Sequence, residues 1–217
     1  MKSNTSTAVI MQHMIWITAA LCLCLATVVG FLPEFSDNEV KESVGDRYEL
    51  HPACMTLIRS QINMEMQASL VYMNMAAHFD QNSVARKGFA KMFRENSKEE
   101  REHAQKLIDY LNLRGNKLAQ FNIDMPDKTT WANALEALKE AIALEKDVYN
   151  QLNHIHDVAD THCKDSHLTD YLEREFLEEQ VESIDSFIRH SSVLGAMSDS
   201  SLGEYLYDQQ LLRDIKE

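Results

Sequence analysis

Arg114-Gly115-Asn116-Lys117-Leu118-Ala119-Gln120-Phe121-Asn122-Ile123-Asp124-Met125-Pro126-Asp127-Lys128-Thr129-Thr130 interrupts a chain that is helix-periodic on both sides of it. The stretch has no regular apolar spacing and holds Gly115, Pro126 and several Asn and Asp residues, so it reads as a long loop. Its seventeen residues are enough to travel the whole length of a helix bundle. Before it, an inward stripe of Ile58, Ile62, Met66, Ser69, Leu70, Met73 and Ala77 marks a helix opened by Pro52, with no Gly or Pro from Ala53 to Lys87. A second helix is expected from about Val84 to Leu113, with Phe89, Phe93, Asn96, His103, Leu107 and Tyr110 inward and Gly115 as its stop.

After the loop, Trp131 to Leu194 again lacks Gly and Pro, but the polar run from Asp160 to Ser166 divides it. The third helix is expected at 131–159, with Leu135, Leu138, Ile142, Val148, Leu152 and Ile155 inward. The fourth is expected at 167–193, with Leu168, Leu172, Phe176, Leu177, Ile184 and Phe187 inward. Short connections make two antiparallel hairpins, and the long link joins them. The fold class is therefore all-α: a four-helix bundle with one long crossover, followed by a short fifth helix at Leu202 to Leu212.

The 217 residues are 45% hydrophobic and 25% charged with only 6 Gly and 3 Pro, which excludes collagen-like and disordered classes. The net charge of −13 removes the Lys and Arg excess on which phosphate-backbone binding depends, so no nucleic acid is expected as a partner.

Residues 1–30 carry one charge, Lys2, and an apolar run from Met14 to Ala26, followed by Val28 and Gly30. The run is short for a spanning helix and reads as a signal peptide cleaved after Gly30, which implies a secreted or secretory-pathway protein with no membrane association after signal removal. Residues 31–50 read as a polar N-terminal arm and 51–217 as the folded domain. Cys22 and Cys24 leave with the signal. Spacing leaves open whether Cys54 and Cys163 pair with each other, pair with another chain or stay free; a buried thiol is the ordinary state of a cysteine in a helical protein. The only Asn-x-Ser/Thr acceptor, at Asn4, lies inside the signal.

Each inward stripe is broken once near its middle by a polar residue. The first helix has Glu65, with Tyr72 seven residues later and almost directly above it. The second has Glu100 and His103, an E-x-x-H pair whose spacing puts carboxylate and imidazole side by side; the third has Glu145 and the fourth Gln180. Three carboxylates in an apolar bundle without Lys or Arg on the same stripes need compensation, and a bound cation supplies it. Carboxylate oxygens with a single imidazole suit iron or manganese.

The segments Asn63-Met64-Glu65-Met66-Gln67-Ala68-Ser69-Leu70-Val71-Tyr72, Lys98-Glu99-Glu100-Arg101-Glu102-His103-Ala104-Gln105-Lys106-Leu107, Leu144-Glu145-Lys146 and Glu179-Gln180-Val181 closely resemble the ferritin family, specifically its heavy-chain, ferroxidase-active subunits. The resemblance covers about residues 48–212, including Gly203-Glu204-Tyr205-Leu206, and makes 51–217 a ferritin-like di-iron domain. It implies a 24-subunit hollow shell, built alone or with a second ferritin subunit type, that takes Fe2+ and dioxygen as substrates, oxidises two irons per subunit and stores a ferric oxyhydroxide mineral. On that resemblance Glu65, Glu100 and His103 are ligands of the first iron, Glu100 bridges, Glu145 binds the second iron, Gln180 lies beside it, and Tyr72 stands next to the centre. Asp170 and Glu173 resemble the acidic pair of the iron inlet channels, and Glu99 and Glu102 resemble part of the mineral-nucleating cluster, where Gln105 replaces a third acid. The family's channel cysteine is replaced by Thr169, and the 160–166 turn is one residue longer than in cytosolic heavy chains. Ser183, three residues after Gln180, removes the second E-x-x-H that a symmetric di-iron oxygenase would carry. Polar interruptions at one depth on all four helices argue against a secreted signalling bundle, and intact ligand positions argue against a light-chain storage subunit.

Overall fold

The computed structural model describes residues 47–197 and 201–214. The expected leader at 1–30 and the expected arm as far as residue 46 lie outside the described residues. Helix α1 runs Pro52–Asp80, α2 Lys87–Leu113, α3 Ala134–Val158, α4 Ser166–Leu172, α5 Glu178–Ala196 and α6 Ser201–Asp214. A π turn at Glu173–Leu177 joins α4 to α5 without leaving helical backbone angles, so the two form one rod and the described residues hold the expected four long rods plus a short fifth.

Local chemistry sets the ends. Pro52 occupies the first turn of α1, where its missing N–H costs nothing, and Nδ1 of His51 accepts from Ala53 N at 3.2 Å. The second helix begins three residues later than expected, because Val84 and Ala85 form a turn in which Ala85 takes a φ of 54° and donates to the Gln81 carbonyl. No residue of that turn caps α2. Asp208 of α6 does so instead, its Oδ1 accepting from Gly88 N at 2.8 Å and Phe89 N at 3.1 Å. Gly88 is what lets α6 come this close: a Cβ there would meet the Asp208 carbonyl oxygen at 2.0 Å. The third helix also starts three residues late, since Asn133 is its N-cap and accepts from Glu136 N at 2.9 Å.

The rods pair α1 with α2 and α3 with α5, α1 also packs along α3, and α6 lies against α2. On α1 the buried face is Ile58, Gln61, Ile62, Glu65, Ala68, Ser69, Tyr72, Met75, Ala76 and Phe79, whereas Met73 and Ala77 of the expected stripe face solvent. A stripe stepped mostly by fours drifts about 40° per such step away from a 3.6-residue helix, and from Ile58 to Ala77 the net drift of about 100° moves it off the core.

Apolar side chains gather into two layers. One holds Tyr72, Phe79, Phe89, Phe93, Leu138, Ala141 and Phe187; the other holds Ile58, Ile62, Ala104, Leu107, Val148, Leu152, Leu172 and Phe176. The boundary between them falls after Ile62 on α1, after Phe93 on α2, after Ala141 on α3 and after Phe176 on the fourth rod.

Cys54 on α1 and Cys163 at the end of a second π turn, Ala159–Cys163, are bonded to each other. The ordinary buried thiol and the bond to another chain are both set aside: the bridge is internal, across a sequence separation of 109. The turn Ala159–Cys163 is wider than the α-helix it continues, which carries the chain past the end of α3 before α4 begins. Lys164 follows it in the left-handed conformation, φ 53°, and the Asp165 side chain accepts from Leu168 N to open α4.

Candidate metal centre

The boundary between the apolar layers is a polar layer. Glu65, Gln61, Glu100, Glu145 and Gln180 are each at most 4% exposed, and His103 is 8% exposed. Glu65 of α1 and Glu100 and His103 of α2 bring one ligand atom each to within 4.8 Å of one another. Across from them, Glu145 Oε1 accepts from the Tyr72 hydroxyl and Glu145 Oε2 from the Gln180 amide, which also donates to the Glu145 backbone carbonyl at 3.2 Å. All six residues read as the centre from sequence thus lie in one layer, in two clusters: Glu65, Glu100 and His103, and Tyr72, Glu145 and Gln180.

Glu65 Oε2 and Glu100 Oε2 are buried without a hydrogen-bond partner. Among the described residues no Lys or Arg pairs with Glu65, Glu100 or Glu145. Unpartnered carboxylate oxygens in a protein interior cost several kcal/mol, and a divalent cation held between them removes that cost. The donor set of three carboxylates and one imidazole is hard and oxygen-rich, which fits iron and does not favour a thiolate-seeking metal.

Without the cation the layer holds on to protons. Burial, then the neighbouring Glu100 charge, raises Glu65 well above the usual carboxylate range, and the same two causes push Glu145 up to about 7. Burial works against a charged His103, but its contacts with Glu100 and Glu179 and the charges of Glu100 and Glu65 outweigh it and push its pKa up to about 10. Burial and Glu145 raise Tyr72 well above the usual phenol value, so it remains a donor.

Two members of the layer escaped the sequence reading. Gln61 Nε2 donates to Glu65 Oε1 at 2.7 Å, and Glu179 Oε1 lies 3.0 Å from His103 Nε2. Gln61 stands one turn before Glu65 on the same face, which is a usable signal; Glu179 looks like one more surface acid, and nothing in its spacing separates it.

The other expected residues lie apart from this cluster. Asp170 and Glu173 are exposed at the start of the fourth rod, Asp170 accepting from Arg174 at 2.8 Å and Glu173 paired with His156 at 2.8 Å. Glu99 borders a recess of about 330 Å³, shared with Glu179, Glu182, Ser183 and His190. Burial and then Glu179 raise the Glu99 pKa. Glu102 is exposed and pairs with Lys98 at 3.2 Å.

Residues 55–194 match the ferritin-like domain family. Soma ferritin of Lymnaea stagnalis is 42% identical over 166 residues, covering 76% of this chain and 94% of its own. The ferritin middle subunit of Salmo salar is 42% identical over 168 residues, 76% of this chain and 95% of its own. Chloroplastic ferritin-2 of Zea mays is 41% identical over 172 residues, 77% of this chain and 68% of its own. The similarity runs through all four long rods and every helix that contributes to the polar layer, and the chain belongs to the ferritin family.

Proposed function

We propose that this ferritin subunit oxidises Fe(II) with dioxygen at a dinuclear centre within the subunit and passes Fe(III) to a mineral stored inside a closed shell. The observation that carries the reading is the pair of buried, unpartnered oxygens, Glu65 Oε2 and Glu100 Oε2, beside His103 and opposite Glu145. Glu65, Glu100 and His103 hold the first ferrous ion, and Glu100 with Glu145 holds the second. Two ferrous ions supply the two electrons that a two-electron reduction of dioxygen consumes. Gln180 gives the second position an amide where a symmetric centre would have an ionised ligand, so that iron is held weakly and can leave as product.

Asp170 and Glu173 serve as the acidic inlet, and Glu99 and Glu102 as part of the surface on which mineral starts. The shell is a 24-mer, formed alone or with a second ferritin subunit type. Leu202, Tyr205 and Leu206 of α6 are 62%, 46% and 55% exposed, a cluster of apolar surface suited to burial between copies. The apolar leader supports a secreted or secretory-pathway protein, and the Cys54–Cys163 bridge supports passage through an oxidising compartment.

The test is stopped-flow absorbance of the chain from residue 31 after mixing with Fe(II) in air, with size exclusion on the same sample. A large shell with a fast phase that saturates at about two irons per subunit is expected. A large shell lacking that phase would reduce the protein to a storage subunit, and a monomer would remove the shell.

A further inference from the structure

We propose that Glu179 is the positioning residue of the first metal position, holding Nε2 of His103 so that Nδ1 is presented to the carboxylates. The inference rests on the dinuclear reading above and concerns a residue that the reading does not use. Nδ1 of His103 is 3.7 Å from Glu100 Oε2, and Nε2 is 3.0 Å from Glu179 Oε1, its one hydrogen-bond partner among the described residues. A metal-bound imidazole must offer a lone pair on one nitrogen and keep its proton on the other, and a carboxylate accepting from the far nitrogen selects that tautomer and fixes the ring. The Phe176 ring, edge-on at 5.8 Å, packs against the imidazole as well.

The backbone explains how a half-exposed acid comes to this place. Leu168, Leu172, Phe176 and Gln180 are all buried although they are spaced by fours, a series that would drift about 40° per step on a regular α-helix. The π turn Glu173–Leu177 takes up part of that drift and returns the rod to register just before Glu179 and Gln180. Consecutive residues then serve the two halves of the centre: Gln180 points inward to Glu145, and Glu179, about 100° around the helix, reaches His103 from the rim. Lys106 Nζ, 3.8 Å from Glu179 Oε2 and above the Phe176 ring, orients the oxygen that His103 does not use.

The test is anaerobic Co(II) titration of the metal-free assembled protein, read by visible absorption and calorimetry, for the parent, Glu179→Ala, Glu179→Gln and His103→Ala. Glu179→Ala is expected to weaken the imidazole-containing position about 10–100-fold and to alter its spectrum, while the Glu145 position keeps its affinity. Glu179→Gln, whose amide oxygen still accepts from Nε2–H, is expected to restore most of the loss. Parental affinity and spectrum in Glu179→Ala would overturn the proposal, as would a Gln variant as weak as Ala, since the effect would then be charge and not orientation. A parent whose Co(II) spectrum is unchanged by His103→Ala would overturn the centre itself, and with it the role of Glu179.

Discussion

The Tyr72 hydroxyl on α1 donates to Oε1 of Glu145 on α3, tying two rods that are 73 residues apart in sequence at the level of the polar layer. Gln180 holds the other Glu145 oxygen, so the carboxylate is fixed from two helices before any cation arrives. Tyr72→Phe leaves one oxygen without its donor while keeping the ring that stacks between Phe93 and Phe187. The variant is expected to lose about 1–2 kcal/mol of stability in chemical denaturation. Rapid Fe(II) oxidation is expected to slow about tenfold, a barrier change of similar size.

Glu100 is the proposed bridge between the two metal positions, and His103 is the one imidazole of the layer among the described residues. Replacing them together, Glu100→Lys with His103→Gly, puts an ammonium between Glu65 and Glu145 and removes a ligand. Rapid oxidation is expected to vanish while the size-exclusion profile stays that of the shell. Equal oxidation traces for variant and parent would dismiss the assignment.

Protons and metal compete for the same groups. In the metal-free native state Glu65 is raised, Glu145 titrates at about 7 and His103 at about 10, so the native state holds protons that the unfolded chain has released. Stability from Glu145 is therefore fully present below the ordinary Glu range and is lost as pH rises through 7. His103 acts with the same sign, fully present below about 6.5 and lost as pH rises toward 10. Metal-free protein is expected to show a falling denaturation midpoint from pH 5 to pH 8.5, and Glu145→Gln is expected to flatten that slope. Cation binding runs the other way, its affinity rising by up to about tenfold per pH unit for each proton displaced.

The centre was legible because its chemistry conflicts with its surroundings. Glu65, Glu100, Glu145 and Gln180 each interrupt an apolar run, and the two core layers meet at that depth on all four rods. What escaped was fixed by partners distant in sequence. The cap of α2 is Asp208, 120 residues after Gly88, and no turn residue announces it. The exposure of Met73 and Ala77 follows from the drift of the stripe between Ile58 and Ala77 and from the neighbours that settle the rotation of α1. Cys54 meets Cys163 only once α1 and the π turn are packed together. Glu179 acquires a role only when the π turn Glu173–Leu177 has set the rotation of α5.

Asp170 and Glu173 sit one turn apart, Asp170 paired with the Arg174 guanidinium and Glu173 in contact with the His156 imidazole. Both contacts are exposed and weak, so the acids remain available to a passing cation. The double variant Asp170→Ala with Glu173→Ala is expected to slow iron uptake several-fold at low ionic strength, with dioxygen consumed per iron unchanged at saturation. An unchanged uptake rate would return the pair to ordinary helix-end charge.

The Cys54–Cys163 bridge closes a loop that takes in α1, α2, the crossover and α3. A cross-link over 109 residues removes chain entropy from the unfolded state, about 4–5 kcal/mol on the loop-closure account. Cys54→Ser with Cys163→Ser is expected to lower the unfolding free energy by a comparable amount, read as a lower denaturation midpoint. The fold is expected to persist, since Cys54 lies in a layer that Ile58, Leu107, Leu152 and Leu168 already fill. The bridge is internal, so denaturing electrophoresis without reductant is expected to show the parent as a single chain of 24.9 kDa or its leader-free form. A band at twice that mass would assign the cysteines to a bond between subunits, and an unchanged midpoint in the serine variant would show that the bridge constrains nothing that packing had not already fixed.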